Sequence, residues 1–250
     1  MLIDTHCHIH ESNYPLDASD VIDRAHAAGV MQMICIGTNV EDSQVAVEFA
    51  SNHDGIFASA GVHPHEIKEG WDKITDFVDA NKSSIIAIGE IGLDYHYNLN
   101  PRDVQTQILR TQIELALKHD LPIIFHVREA FYDFWPILDD YKGIRGVLHS
   151  FTDTMENAQE AIKRGLYIGV NGYSTFVREE SQKAMFASLP IEKILLETDA
   201  PYLTPIPFRG KVNEPAFVRN IAEYQGEIRQ ISFDEVANAT TANARVLFRF

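Results

Sequence analysis

Residues 2–9, Leu2-Ile3-Asp4-Thr5-His6-Cys7-His8-Ile9, decide the reading of the chain. The stretch is apolar on entry, short enough for a strand, and carries two imidazoles two positions apart. Successive side chains of an extended strand alternate faces, so His6 and His8 point to the same side. Two imidazoles on one side of a rigid element make half of a metal site. The remainder of the sequence reads as a frame that brings further ligands to them.

Outward from this stretch, strand-like and helix-like segments alternate. The pattern predicts further strands over 31–37, 56–62, 85–93, 123–127, 146–151, 166–172 and 194–199. Helices are predicted over 17–29, 40–52, 71–81, 102–119, 155–164 and 178–189. In the first of these, Val21, Ile22 and Ala25 share a face, and Gly29 ends the helix. A helix over 130–142 is expected to be interrupted near Pro136, and two more close the chain near 214–225 and 232–247. The strands are mostly continuous apolar runs, the mark of a parallel sheet covered by helices. Eight of them in 250 residues favour one α/β domain over 1–250, a (β/α)8 TIM-type barrel with its site at the C-terminal rim.

Composition narrows the function. A net charge of −15 argues against a general affinity for nucleic acid or anionic membrane. It does not describe a site, because bound divalent cations invert the local field. The two cysteines, Cys7 and Cys35, lie in apolar runs and read as reduced thiols. No basic segment leads into an apolar one at the N-terminus, and apolar runs fall far short of a membrane span of ~20 residues. A soluble, cytoplasmic protein without membrane or obligate protein partner is expected.

The polar residues that interrupt the strands fall at their C-terminal ends: His6 and His8, His63, Glu90, His126, His149 and Asp199. Active sites of this barrel sit at that rim. Imidazole and carboxylate suit Zn, Mn, Fe and similar first-row ions. Two ions ~3.5–4 Å apart can clamp the attacking and leaving oxygens of a displacement at phosphorus. The expected assignment places His6, His8, Glu90 and Asp199 on one ion and Glu90, His126 and His149 on the other, with Glu90 bridging. A bridging water is the expected nucleophile, with Asp199 accepting its proton. His63 is a catalytic candidate that orients the substrate phosphate or a water, or else only caps a turn beside Pro64, and His65 is a candidate to bind substrate. Arg128 is placed to pair with a phosphate, and Arg209 with Lys211 to meet a nucleic-acid backbone; the plainer reading of each is a solvated charge. Glu197, two residues before Asp199, is expected on the same side, and Asp94 is expected to shape the loop after Glu90. Tyr95, Tyr173 or Tyr202 can stack on a base or pack inside.

These residues carry a family resemblance. Asp4-Thr5-His6-Cys7-His8, Gly89-Glu90-Ile91-Gly92-Leu93-Asp94-Tyr95, His126-Val127-Arg128 and Leu196-Glu197-Thr198-Asp199-Ala200-Pro201 resemble the motifs of the TatD family of metal-dependent deoxyribonucleases. Gly61-Val62-His63-Pro64-His65 and Asn213-Glu214-Pro215 are similar to further blocks of that family, in order along the chain. The resemblance implies a metal-dependent hydrolase barrel, magnesium (Mg) or another divalent ion, nuclease activity on DNA and the six metal ligands assigned above. Two positions depart from the family's habit: His10 and Tyr132 stand where acidic residues are commoner. The expected reaction is hydrolysis of DNA phosphodiester bonds, from single-stranded or frayed ends. The alternatives are hydrolysis of another ester or amide, such as aminoacyl-RNA, and metal binding without catalysis.

Overall fold

The computed structural model describes residues 1–67, 71–97 and 99–250. Eight strands occur among them: β1 (Leu2–Cys7), β2 (Val30–Cys35), β3 (Ile56–Ala60), β4 (Ala87–Asp94), β5 (Ile123–Arg128), β6 (Gly146–Leu148), β7 (Tyr167–Val170) and β8 (Ile194–Leu196). Their order in the sheet follows the chain from β1 to β8. With a helix after nearly every strand this is the (β/α)8 arrangement. The backbone falls into two compact units, residues 1–35 with 150–250 and residues 36–149.

In the first unit, β1 pairs in parallel with β2, and β7 with β8. Helix α1 (Ala18–Ala27) buries Val21, Ile22 and Ala25, the face expected from their spacing. Asp17 caps it by accepting from the Asp20 N–H, and Gly29 beyond its end takes a φ of +86°. The last helix, numbered α9 after the eight before it, spans Phe233–Phe248. It opens on a capping box between Ser232 and Glu235. Its Asn243 donates to the carbonyls of Ile191 and Ile194, and Thr241 donates to that of Met1, so it seals the bottoms of β1 and β8.

In the second unit, β3, β4, β5 and β6 pair in sequence, all parallel. The long helix α4 (Arg102–Lys118) packs on β4, following α2 (Val40–Ser51) and α3 (Ile74–Asn81). Its Gln112 is buried and bridges both backbone groups of Val62. Its Gln105 accepts from the Asp94 N–H and donates to the Asp94 carbonyl. Helix α5 (Phe131–Asp139) runs through Pro136 without the expected interruption. The carbonyl that loses its donor there belongs to Tyr132, which is 91% exposed, so water takes the bond.

The strands approach so closely that side chains are excluded at some points. A Cβ on Gly92, which faces His126 in the β4–β5 register, would lie 1.7 Å from the His126 carbonyl oxygen. Gly92→Ala is therefore expected to destabilise the protein by at least about 3 kcal/mol, because backbone must move. Gly143→Ala, with nothing within 4 Å of its Cβ and a φ of +81°, is expected to cost only about 1 kcal/mol. Denaturant midpoints of the two variants check the difference.

Candidate metal centre

Each unit carries its own group of histidine and carboxylate donors. In the first unit, His6 lies on β1 and His8 one residue beyond it. Asp199 lies three residues past β8, at a φ of +58° that an aspartate tolerates. Its N–H donates to the His6 carbonyl at 2.8 Å, and the His8 N–H donates to the Ala200 carbonyl at 2.8 Å. The chain after β8 is thereby laid against the end of β1. Asp4 secures the same junction from below. It is fully buried and accepts from the Thr198 N–H at 2.8 Å and the Thr198 hydroxyl at 2.5 Å. Burial pushes its carboxyl up to about 8 in spite of those bonds.

The outcome is a tight triangle. Nε2 of His6 and Nε2 of His8 stand 3.2 Å apart, and Oδ1 of Asp199 lies 3.7 and 3.6 Å from them. A triangle with those sides has its centre about 2.0 Å from each corner, the length of a zinc–imidazole bond. The donor set fits a divalent cation. Burial opposes a proton on His8, but Asp199 and Glu11 outweigh it and hold the imidazole well above its usual range.

In the second unit the centre of the group is Glu90, on β4 and 4% exposed. Its Oε1 lies 2.9 Å from Nδ1 of His126, 3.7 Å from Nε2 of His63 and 3.8 Å from Nε2 of His149. His63, Glu90 and His126 offer atoms within 4.8 Å of one another. Their hydrogen bonds separate the roles. The His65 N–H donates to Nδ1 of His63 at 3.1 Å, so a neutral His63 carries its proton on Nε2. Burial and the neighbouring His126 press its pKa well below the usual histidine range. His63 is thus a neutral N–H donor aimed at the group, which suits an anionic oxygen better than a cation. His126 meets carboxylates at both ends: Glu90 at Nδ1 and Asp94 at Nε2, 2.9 Å each. Burial opposes its protonation, but Asp94 and Glu90 raise its pKa overall.

Asp94 does more than shape a loop. Its Oδ1 accepts from the N–H groups of His96 and Tyr97, as the loop reading expects. Its Oδ2 also takes both His126 and His65, at 2.9 Å each. Burial works against its charge, yet His126 and the Tyr97 N–H hold the carboxyl far below its usual range. Nothing in the spacing of Asp94 from Glu90 signals this; the His-x-His spacing of 63 and 65 is the nearest clue.

One expectation is corrected. β8 ends at Leu196 and Asp199 is turned by its left-handed backbone, so Glu197 and Asp199 do not alternate along one strand. Glu197 is buried and accepts from the Ser150 N–H at 2.6 Å. Tyr95 is committed to Asp133 through its hydroxyl, with Arg102 over its ring. Arg209 is exposed but lies 3.7 Å over the Phe176 ring and donates to the Thr204 carbonyl. Arg128 is exposed at the end of β5. Cys7 and Cys35 are buried free thiols in register across β1 and β2. No helix among the described residues is long and apolar enough to cross a membrane.

A (β/α)8 fold with histidine–carboxylate groups at strand ends defines a class, the metal-dependent hydrolases. The family model described as TatD related DNase matches residues 3–249, and the chain belongs to the TatD family. It is 37% identical to the uncharacterized metal-dependent hydrolase YabD of Bacillus subtilis, over 100% of this chain and 99% of that one. It is 35% identical to the 3'-5' ssDNA/RNA exonuclease TatD of Salmonella typhimurium, over 99% of this chain and 98% of that one. The crystal structure of YjjV, a TatD homologue from Escherichia coli, superposes with a TM-score of 0.92 at 29% identity, covering 100% and 98% of the two chains.

Because imidazoles in both groups are drawn towards protonation, a divalent cation must displace protons to bind. Proton release at pH 7 and an affinity that rises with pH are expected, checked by calorimetric titration of zinc or manganese in buffers of differing ionisation enthalpy. Asp94→Asn, which weakens the grip on His126, is expected to lower metal affinity about 10- to 100-fold in a chelator competition.

Proposed function

We propose that this chain is a divalent-metal-dependent nuclease that hydrolyses phosphodiester bonds of nucleic acid, from the end of a single strand. In this reading His6, His8 and Asp199 would hold one cation, and Glu90, His126 and His149 would hold another. The observation that carries it is the paired donor sets, each built from imidazole and carboxylate at strand ends. Support for the substrate comes from the name of the Salmonella relative, a 3'-5' ssDNA/RNA exonuclease.

When bound, a pair of divalent cations acidifies water and draws charge from a phosphoryl group. The chain's own groups do the rest. Asp199 accepts a proton from the attacking water at its carboxylate. His63 donates its Nε2–H to a non-bridging phosphate oxygen and fixes the phosphate's orientation. Asp94 holds His126 and His65 in one tautomer each, so neither ring turns during the reaction. A strand end fits a rim of loops better than an intact duplex does.

The assay uses end-labelled single-stranded DNA and RNA, with chelated protein and with each metal restored. Turnover is expected with metal, and Glu90→Ala is expected to show none above the chelated protein. Full turnover and full metal content in Glu90→Ala would refute its role as a metal ligand. With a net charge of −15, most phosphate affinity must come from the cations. The slope of log affinity against log salt is therefore expected to be no steeper than about −2, as for two or three phosphate contacts on a single strand.

A further inference from the structure

The second unit presents an exposed tyrosine beside the Glu90–His126 group. Tyr97 lies three residues past β4, and Arg128 ends β5, where it faces Asp94 in register. The loop after β4 is pinned over the end of β5. The Tyr95 N–H donates to the Arg128 carbonyl at 3.0 Å, and the Tyr97 N–H donates to Asp94 at 3.1 Å. The Tyr97 ring stands edge-on to His65, centroids 5.3 Å apart, and His65 stands 6.0 Å from His126. One ring therefore separates Tyr97 from the candidate ligands.

Two features set this tyrosine apart from a packing residue. Its surface is 54% exposed, although it sits on a loop fixed by hydrogen bonds. The Arg128 guanidinium lies 4.9 Å from its ring centroid. Two other arginines of this unit, Arg110 and Arg145, pair with Asp140 and Asp120 at 2.7 and 3.0 Å. Among the described residues Arg128 has no carboxylate partner; the adjacent Glu129 meets His96 at 2.7 Å. The half-exposed ring has Arg128 over one face and His65 and His96 against it, and ring and guanidinium together offer the two contacts that a nucleotide needs. A base stacks on the ring, whatever its identity, and a phosphate takes two parallel N–H donors.

We propose that Tyr97 is the base-stacking residue of the nucleic-acid site, with Arg128 holding the phosphate of the same or the next nucleotide. The inference rests on the nucleic-acid reading given above. It adds a subsite that grips the strand beside the reacting phosphate and does not read its sequence.

The test measures binding and turnover separately, on wild type, Tyr97→Ala and Tyr97→Phe. Binding is followed by anisotropy of a fluorescein-labelled oligothymidylate on chelated protein. Turnover uses an end-labelled single strand with saturating manganese. Tyr97→Ala is expected to weaken binding and raise KM about tenfold or more, with kcat changed much less, while Tyr97→Phe keeps both. A strand whose terminal nucleotides are abasic is expected to erase the difference between wild type and Tyr97→Ala. Unchanged binding and KM in Tyr97→Ala would overturn the subsite while leaving the nuclease reading intact. Tyr97-dependent binding without turnover in any metal would overturn the nuclease reading and support the subsite.

Discussion

Two imidazole nitrogens 3.2 Å apart, with a carboxylate oxygen 3.6 and 3.7 Å away, are a geometry that water would ordinarily pull open. It persists because the backbone holds it. The chain after β8 is bonded to the end of β1 through Asp199 and His8, and Asp4 ties Thr198 to β1 from inside the core. A buried carboxyl is costly unless it is hydrogen-bonded, and Asp4 meets that condition by joining the first strand to the segment after the last one. The ligand triangle is thus a product of the bonds that lay the segment after β8 along the end of β1, and a shift of that segment would scatter it.

The second unit reaches a similar end by a different device. There the organiser is Asp94, whose two oxygens take two side-chain imidazoles and two backbone N–H groups. Glu90 and Asp94 together flank His126, so that ring sits between two negative groups. Both units concentrate negative charge around imidazoles, and both raise the proton affinity of one of them, His8 or His126. An acidic protein is well suited to this. Its net charge of −15 repels polyanions broadly, and the carboxylates of the two groups suit divalent cations.

The family model covers residues 3–249, so it is the whole fold that the chain has in common with metal-dependent hydrolases. Exposed tyrosines lie on the segments beyond the strand ends, Tyr97 and Tyr202 in loops and Tyr132 in the first turn of α5. Rigid strands fix the chemistry, and the segments between them are free to diverge.

The fold was legible in the sequence because the strands are apolar runs at even spacing and the helices carry one buried face. Val21, Ile22 and Ala25 are the plain case, and a period of 3.6 is enough to find them. The candidate ligands were legible too, since a polar residue at the end of an apolar strand has few structural reasons to be there. What could not be read were contacts between distant segments. Asp94 gripping both His65 and His126 depends on the β4–β5 register, and register leaves no mark in composition. The tautomer of His63 depends on a single backbone N–H two residues away. The orientation of Asp199 depends on one left-handed residue that ends the alternation the strand pattern implied. Local periodicity determines which elements form; the directions in which their end groups point are set only when strands pair and loops are pinned.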